Sequence, residues 1–439
     1  MPIGIAAAAV TAVTATAAVD AAQASAVGGA DRPSQAGRRY LAISINNAVY
    51  TVNAFRPTRF PPLFAQSFFA SWITIELAWV HLMWQVALAG INVVRGGART
   101  REGKLALLIT AVNIVGLAVS VRQSLRSRGE VKDALDALGT ARPASKGLRT
   151  KRTRDVLYAE VGGARLKLDV TAPVDPPAEG ERRPALIQVH GGGWVIGDKR
   201  EQGLPLIRRL SSEGWVCFNI NYRLSPRAGF PAHVEDVKRA IAWVRAHADD
   251  YGIDPEFIAI TGGSAGGHLT ALAALTPNDP RLQEGFEDVD TSVQAAVPFY
   301  GIYDFTDRYG HWQPGTIERF IAPTVMKRRL ADEPDWFALA SPMDQIGPHA
   351  PPFLVIHGEK DTLAPVRDAR LFARDLAEVS HEPTIYLELA GAQHAFDVFP
   401  SIRCAAVIEG VAHFLHDMHA RHLTQKAELV RTGREPLAT

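Results

Sequence analysis

The sequence predicts an α/β fold in which a mostly parallel, eight-stranded sheet carries helices on both faces, preceded by an apolar helical region. Three observations support this. From about residue 153 onward, short apolar runs alternate with amphipathic stretches of helical period. Two of those runs end in glycine-rich turns. Ahead of residue 153 the composition shifts to small and apolar residues with no such alternation.

The elements follow in order. Residues 156–158 and 166–170 read as an antiparallel pair around Gly162-Gly163. Apolar runs near 185–189, 215–221, 257–261, 293–299, 352–356 and 384–389 read as the remaining strands. Helical stretches near 201–212, 232–249, 265–275, 366–379 and 402–419 separate them. Such alternation builds parallel strands with helical crossovers. The stretch 303–340, with Trp312, Phe320 and Trp336, breaks the pattern; its aromatic residues are candidate pocket lining as well as packing.

Two turns carry the chemistry. Gly262-Gly263-Ser264-Ala265-Gly266 joins an apolar run to a helical stretch. A strand turning sharply into a helix presents a serine hydroxyl at the sheet edge, and the helix N-terminus supplies free N–H groups beneath a developing anion. His190-Gly191-Gly192-Gly193-Trp194 follows another run. Three glycines let backbone amides approach a substrate oxygen without side chains in the way.

A serine hydroxyl needs a base, and the base needs an orienting carboxylate. Asp361 follows the run 352–356, and His394 follows 384–389, so both sit at carboxyl ends of strands, as Ser264 does. Glu359 and Asp397 are rival carboxylates. His190, His268 and His357 read as motif or structural histidines. No H-E-x-x-H or C-x-x-C spacing supports a metal site.

With these residues in view, 153–418 resembles the α/β-hydrolase fold, specifically the carboxylesterases similar to hormone-sensitive lipase. The resemblance rests on the His190 and Ser264 motifs, on Asn221-Tyr222-Arg223-Leu224-Ser225-Pro226, and on Asp361 and His394. It implies Ser264 as nucleophile, His394 as base and Asp361 as orienter. The amides of Gly192, Gly193 and Ala265 are implied as oxyanion donors, with His190, Gly191, Gly262 and Gly266 supporting the two turns. It implies no cofactor and no metal, and a small-molecule or lipid ester as substrate. One position departs: many relatives carry Asp before the nucleophile, where this chain has Gly263. The run Trp194-Val195-Ile196-Gly197-Asp198-Lys199 also resembles feruloyl-esterase-like and arylformamidase-like branches, so an amidase with the same triad stays open. A non-catalytic binding protein on the same scaffold is the alternative from another class.

The formal charge is +1, from 47 Lys and Arg against 46 Asp and Glu, so no global field recruits nucleic acid. Cys217 and Cys404 lie in apolar stretches and read as buried hydrophobes. Residues 1–60 read as a low-complexity or signal-like leader, ending its apolar part at Ala24-Ser25-Ala26, followed by a linker. Residues 61–125 hold two apolar segments, about 68–94 and 105–121, and read as a helical hairpin anchoring the chain to a membrane. Glu76, His81 and Gln85 interrupt the first, which keeps amphipathic helices lying on lipid, or a lid, as the rival. Basic residues at both ends of the hairpin leave its orientation open. Residues 126–152 read as a basic linker, 153–425 as the catalytic domain and 426–439 as a tail.

Overall fold

The computed structural model describes residues 33–58, 63–138 and 147–432, in two units, Met1–Arg126 and Ser127–Thr439. The leader reading for residues 1–26 lies outside the described residues.

The first unit is helical: α1 (Pro33–Phe55), α2 (Phe64–Glu76), α3 (Ala78–Val94) and the start of α4 (Arg101–Leu135). The first apolar segment does not form one rod, because α2 and α3 meet at an 83° bend around Leu77. Among the described residues one helix, α4, is by itself long and apolar enough to cross a membrane. The polarity of this unit is inverted. In α3 the buried residues are Ala78, Gln85 and Asn92, whereas Met83 and Trp84 are 61% and 46% exposed. In α4 a heptad-spaced row of small and polar residues, including Ala106, Thr110, Asn113 and Ser120, is buried, while Leu108, Val112 and Val115 are exposed. Thr110 hydrogen-bonds the hydroxyls of Tyr40 (2.7 Å) and Ser44 (3.0 Å), and Asn113 Nδ2 donates to the Ser44 carbonyl. A Cβ on Gly116 would lie 2.8 Å from Thr51 Cγ2, so α1 and α4 approach closely through small residues.

In the second unit, strands β1 (Thr150–Val161), β2 (Ala164–Pro173), β3 (Arg183–Val189), β4 (Val216–Ile220), β5 (Ile253–Gly263), β6 (Ala295–Phe299), β7 (Phe353–Gly358) and β8 (Thr384–Leu389) form one sheet in the order β1-β2-β4-β3-β5-β6-β7-β8. β1 and β2 pair antiparallel, as do β2 and β4; every other pairing is parallel. The period of two divides the strand residues between faces. Ile187, Ile260 and Val355 face a core closed by α6 (Ala232–Ala246), α7 (Ala265–Leu275) and α9 (Val366–Val379). Leu186, Ala259 and Leu354 face the other side, closed by α5 (Leu204–Ser212) and α10 (Ile402–Thr432). The short helix α8 (Pro334–Ala340) follows a π-helical segment, Ile317–Met326, with Pro323 inside it. Buried on both faces, the central strands read as continuous apolar runs, which is what makes them legible in the sequence. Cys217 and Cys404 are both buried and free. Residues 126–135 are helical, 150–152 belong to β1, and α10 extends to Thr432.

Candidate active site

Every residue singled out for chemistry follows the carboxyl end of a parallel strand. The glycine loop follows β3 and Ser264 follows β5; these strands are neighbours, with Val189 opposite Gly262. Asp361 follows β7 and His394 follows β8, again neighbours. β6 lies between the two pairs.

Ser264 has φ 58° and ψ −121°, a conformation that costs a non-glycine residue on the order of 1–3 kcal/mol. Its surroundings hold it there. The Ser264 N–H donates to the Phe299 carbonyl at 3.0 Å, and its own carbonyl accepts from the His268 N–H at 2.9 Å. The turn also demands glycine: a Cβ on Gly266 would fall 2.2 Å from the Val189 carbonyl oxygen, and one on Gly262 would fall 2.6 Å from it. Trp194, Tyr300 and Ala395 share positive φ angles of 60°, 37° and 57°, so backbone strain collects at the ends of β3, β6 and β8 as well.

The glycine loop lies against the serine, since a Cβ on Gly191 would sit 3.1 Å from Ser264 Cβ. Gly191 N–H donates to Gln202 Oε1 at 2.7 Å, whereas among the described residues no acceptor takes the amides of Gly192 or Gly193. His190 Nδ1 bonds the Gly191 carbonyl, and its ring stacks on Tyr222, whose hydroxyl donates to the His190 carbonyl. Trp194 Nε1 donates to His268 Nδ1 at 3.2 Å, which makes His268 Nε2 the donor to the Ala340 carbonyl at 2.7 Å. Burial lowers the His268 pKa to about 4, so this link is neutral at ordinary pH. Both histidines therefore serve the architecture of the loop.

Asp361 Oδ2 lies 2.7 Å from His394 Nδ1 and 3.2 Å from His357 Nε2. Its Oδ1 accepts the Leu363 and Ala364 amides at 2.8 Å each. Burial works to raise the Asp361 pKa, but the charge of His394 and the hydrogen bonds from His357 and His394 outweigh it and hold the carboxyl well below its ordinary value. The rival carboxylates are engaged elsewhere: Glu359 accepts the Gly391 amide, and Asp397 accepts from the Tyr300 hydroxyl.

Sequence reasoning missed Gln202, which holds the first glycine amide, and Tyr300, which reaches both Gly263 and His394. The one available signal was position, because Tyr300 directly follows β6. Phe320 lies over the glycine loop, with Cζ 3.5 Å from where a Gly193 Cβ would stand.

Among the described residues, Asp254, Glu256 and His422 form a cluster with metal-ligand geometry. Lys426 Nζ already bridges its two carboxylates, and Asp254 is the second residue of β5, at the end opposite Ser264.

Comparison with known proteins places the chain among esterases. The family described as BD-FAE matches residues 168–376. The probable carboxylic ester hydrolase LipM of Mycobacterium tuberculosis is 41% identical over 408 residues, covering 87% of this chain and 93% of LipM. Esterase LipQ of the same organism is 47% identical over 272 residues, covering 62% of this chain and 64% of LipQ. The butyrate-bound esterase 2 of Thermogutta terrifontis superposes with a TM-score of 0.52 at 26% identity, covering 63% of this chain and 96% of that one. The same enzyme phosphonylated by sarin gives a TM-score of 0.53 at 26% identity, covering 62% and 95%.

Proposed function

Since the chain belongs to the carboxylic ester hydrolases similar to hormone-sensitive lipase, on the α/β-hydrolase fold, we propose that it hydrolyses its ester through Ser264, His394 and Asp361. The observation that carries this reading is the Asp361–His394 contact at 2.7 Å, with Ser264 held in a strained turn at the carboxyl end of a strand in the same sheet. In the first step Ser264 Oγ attacks the ester carbonyl while His394 takes its proton. The ionised Asp361 fixes the tautomer that carries its proton on Nδ1 and leaves Nε2 as the basic nitrogen, and it stabilises the imidazolium. The amides of Gly192, Gly193 and Ala265 receive the oxyanion, and removing one such donor typically costs about 10²–10³ in rate. His394 then protonates the leaving alcohol, and water activated by the same imidazole releases the acid. That the Thermogutta enzyme is phosphonylated by sarin supports an activated nucleophile in this architecture. An amide substrate would use the same groups.

The inverted first unit supports membrane attachment as part of this function. Residues 105–121 of α4, flanked by Lys104 and Arg122, contain no ionisable group and span about 26 Å at the helical rise, close to the roughly 30 Å of a hydrocarbon core. Glu76 and Gln85, which interrupt the first apolar segment, are buried within the unit and face away from its apolar surface. The substrate class is a small or lipid-borne carboxylic ester.

The test is hydrolysis of p-nitrophenyl esters of increasing acyl length by the intact chain and by Ser264→Ala. Loss of at least about 10³-fold with an unchanged fold is expected. Near-normal turnover by the variant would overturn the assignment.

A further inference from the structure

Three residues, Tyr300, Asp397 and Gly263, converge between the nucleophile and the base without a part in the steps above. Tyr300, 2% exposed, lays its ring 4.5 Å from the His394 ring at a tilt of 56°. Its hydroxyl donates to Asp397 Oδ1, three residues beyond His394. Gly263 lies beneath the phenol: a Cβ there would meet Tyr300 Oη at 2.6 Å, so a side chain before the nucleophile would have to displace the phenol. A cavity of about 10 Å³, to which Leu206, Phe299 and Ile408 as well as Gln202, Tyr300 and Asp397 contribute, lies behind the turn. Although Asp397 keeps some residue-level surface, its carboxyl is desolvated, and that burial raises its pKa against the Tyr300 hydrogen bond.

We propose that Tyr300 and Asp397 form a positioning pair for the catalytic base, the phenol ring fixing the plane of His394 and Asp397 fixing the phenol. The inference rests on the assignment of Ser264 and His394 above. A base that must face Asp361 on one nitrogen and the serine on the other loses that alignment by rotation about its Cβ–Cγ bond. The Asp361 contact holds one nitrogen; the Tyr300 ring packed against the imidazole restrains the swing of the other. Tyr300 can take that place only because position 263 is glycine, so the departure from Asp before the nucleophile and the aromatic clamp are one arrangement. An ionised Asp397 also favours the imidazolium that forms during attack, through the charge it shares with that side of His394.

The experiment is a double-mutant cycle with Tyr300→Phe and Asp397→Asn, read as kcat and KM on p-nitrophenyl butyrate and as the pH–rate profile. Tyr300→Phe keeps the ring but frees it to turn; kcat is expected to fall about tenfold with KM within about twofold, as small misplacements of catalytic groups do. Asp397→Asn is expected to lower kcat similarly and move the acid limb of kcat to lower pH. The double variant should lose no more than the worse single one, since the two act as a unit. Gly263→Ala pushes the phenol aside with both members of the pair present, and should reproduce the loss in kcat alone even where a pair variant folds poorly. Unchanged kcat and pH profile in folded single variants, or losses that simply add, would overturn the proposal while leaving Ser264-dependent activity in place. Activity independent of Ser264 would instead remove the assignment on which it rests.

Discussion

The two units obey opposite rules of burial. In the catalytic unit β3 places Leu186, Ile187 and Val189 fully out of solvent, and its buried charges are paired, as Lys199 is with Asp155 and Asp169. In the first unit Gln85, Asn92 and Asn113 lie inside, while Met83, Leu108, Val112 and Val115 lie outside. A helix turns outward the side chains its solvent accepts, and this inversion is the ground for the proposed lipid attachment of the first unit.

The comparison breaks most visibly if charge is placed on the outward face of α4. Val112→Lys with Val115→Lys is expected to cost about 2.5–3.5 kcal/mol per residue on insertion scales, moving the protein from the membrane pellet to aggregates or the soluble fraction. Val289→Lys, on the catalytic unit and also exposed, should leave fractionation unchanged. Retention of the α4 double variant in carbonate-washed membranes would remove the lipid-facing reading.

Truncating one leucine in each unit sharpens the contrast. Leu272→Ala, fully buried in α7, is expected to destabilise the catalytic unit by about 2–5 kcal/mol, a fall in Tm of roughly 5–15 °C. Leu108→Ala, 63% exposed, should shift thermal unfolding in detergent by about 0.5 kcal/mol or less. Equal losses would mean that Leu108 is covered by protein.

A smaller effect separates the units by pH. Asp361 has a folded-state pKa depressed below its unfolded value by His394 and His357 against the opposing burial, so its contribution to stability is complete above about pH 4 and is lost as pH falls through the folded value. Urea midpoints between pH 5 and 3 should show the catalytic unit losing about 1 kcal/mol to this group, and Asp361→Asn should flatten that slope. An unchanged slope would mean that the carboxyl is not so held.

Phe320→Ala is expected to have the mildest consequence, a change of about threefold to tenfold in preference along the acyl series with little change in Tm. An unaltered profile would place Phe320 outside the substrate's reach.

What was legible followed from how each feature is encoded. Ser264, Asp361 and His394 each follow an apolar run, and strand ends are where a parallel sheet gathers side chains from distant positions. The glycines of the two turns announce themselves because close backbone approach excludes a Cβ, as the 2.2 Å clearance at Gly266 shows. Asp361 is preferred to Glu359 and Asp397 on the resemblance, and the distances that separate the three, all in loops after β7 and β8, come only from the structure. Gln202 and Tyr300 were missed because a glutamine in a turn and a tyrosine after a strand are ordinary residues until their neighbours are known. The bend at Leu77 carried no proline or glycine signal, so 68–94 read as one segment. Glu76 and Gln85 were read as objections to a membrane, whereas within a helical unit they are the interior.

The measurement that tests the central claim most directly is reaction of the intact chain with paraoxon, followed by mass spectrometry of the protein and its peptides. The account predicts one diethylphosphoryl group per chain, on Ser264, with esterase activity lost in proportion and no adduct on Ser264→Ala. Activity that survives full exposure, or an adduct on another residue that accounts for its loss, would contradict it.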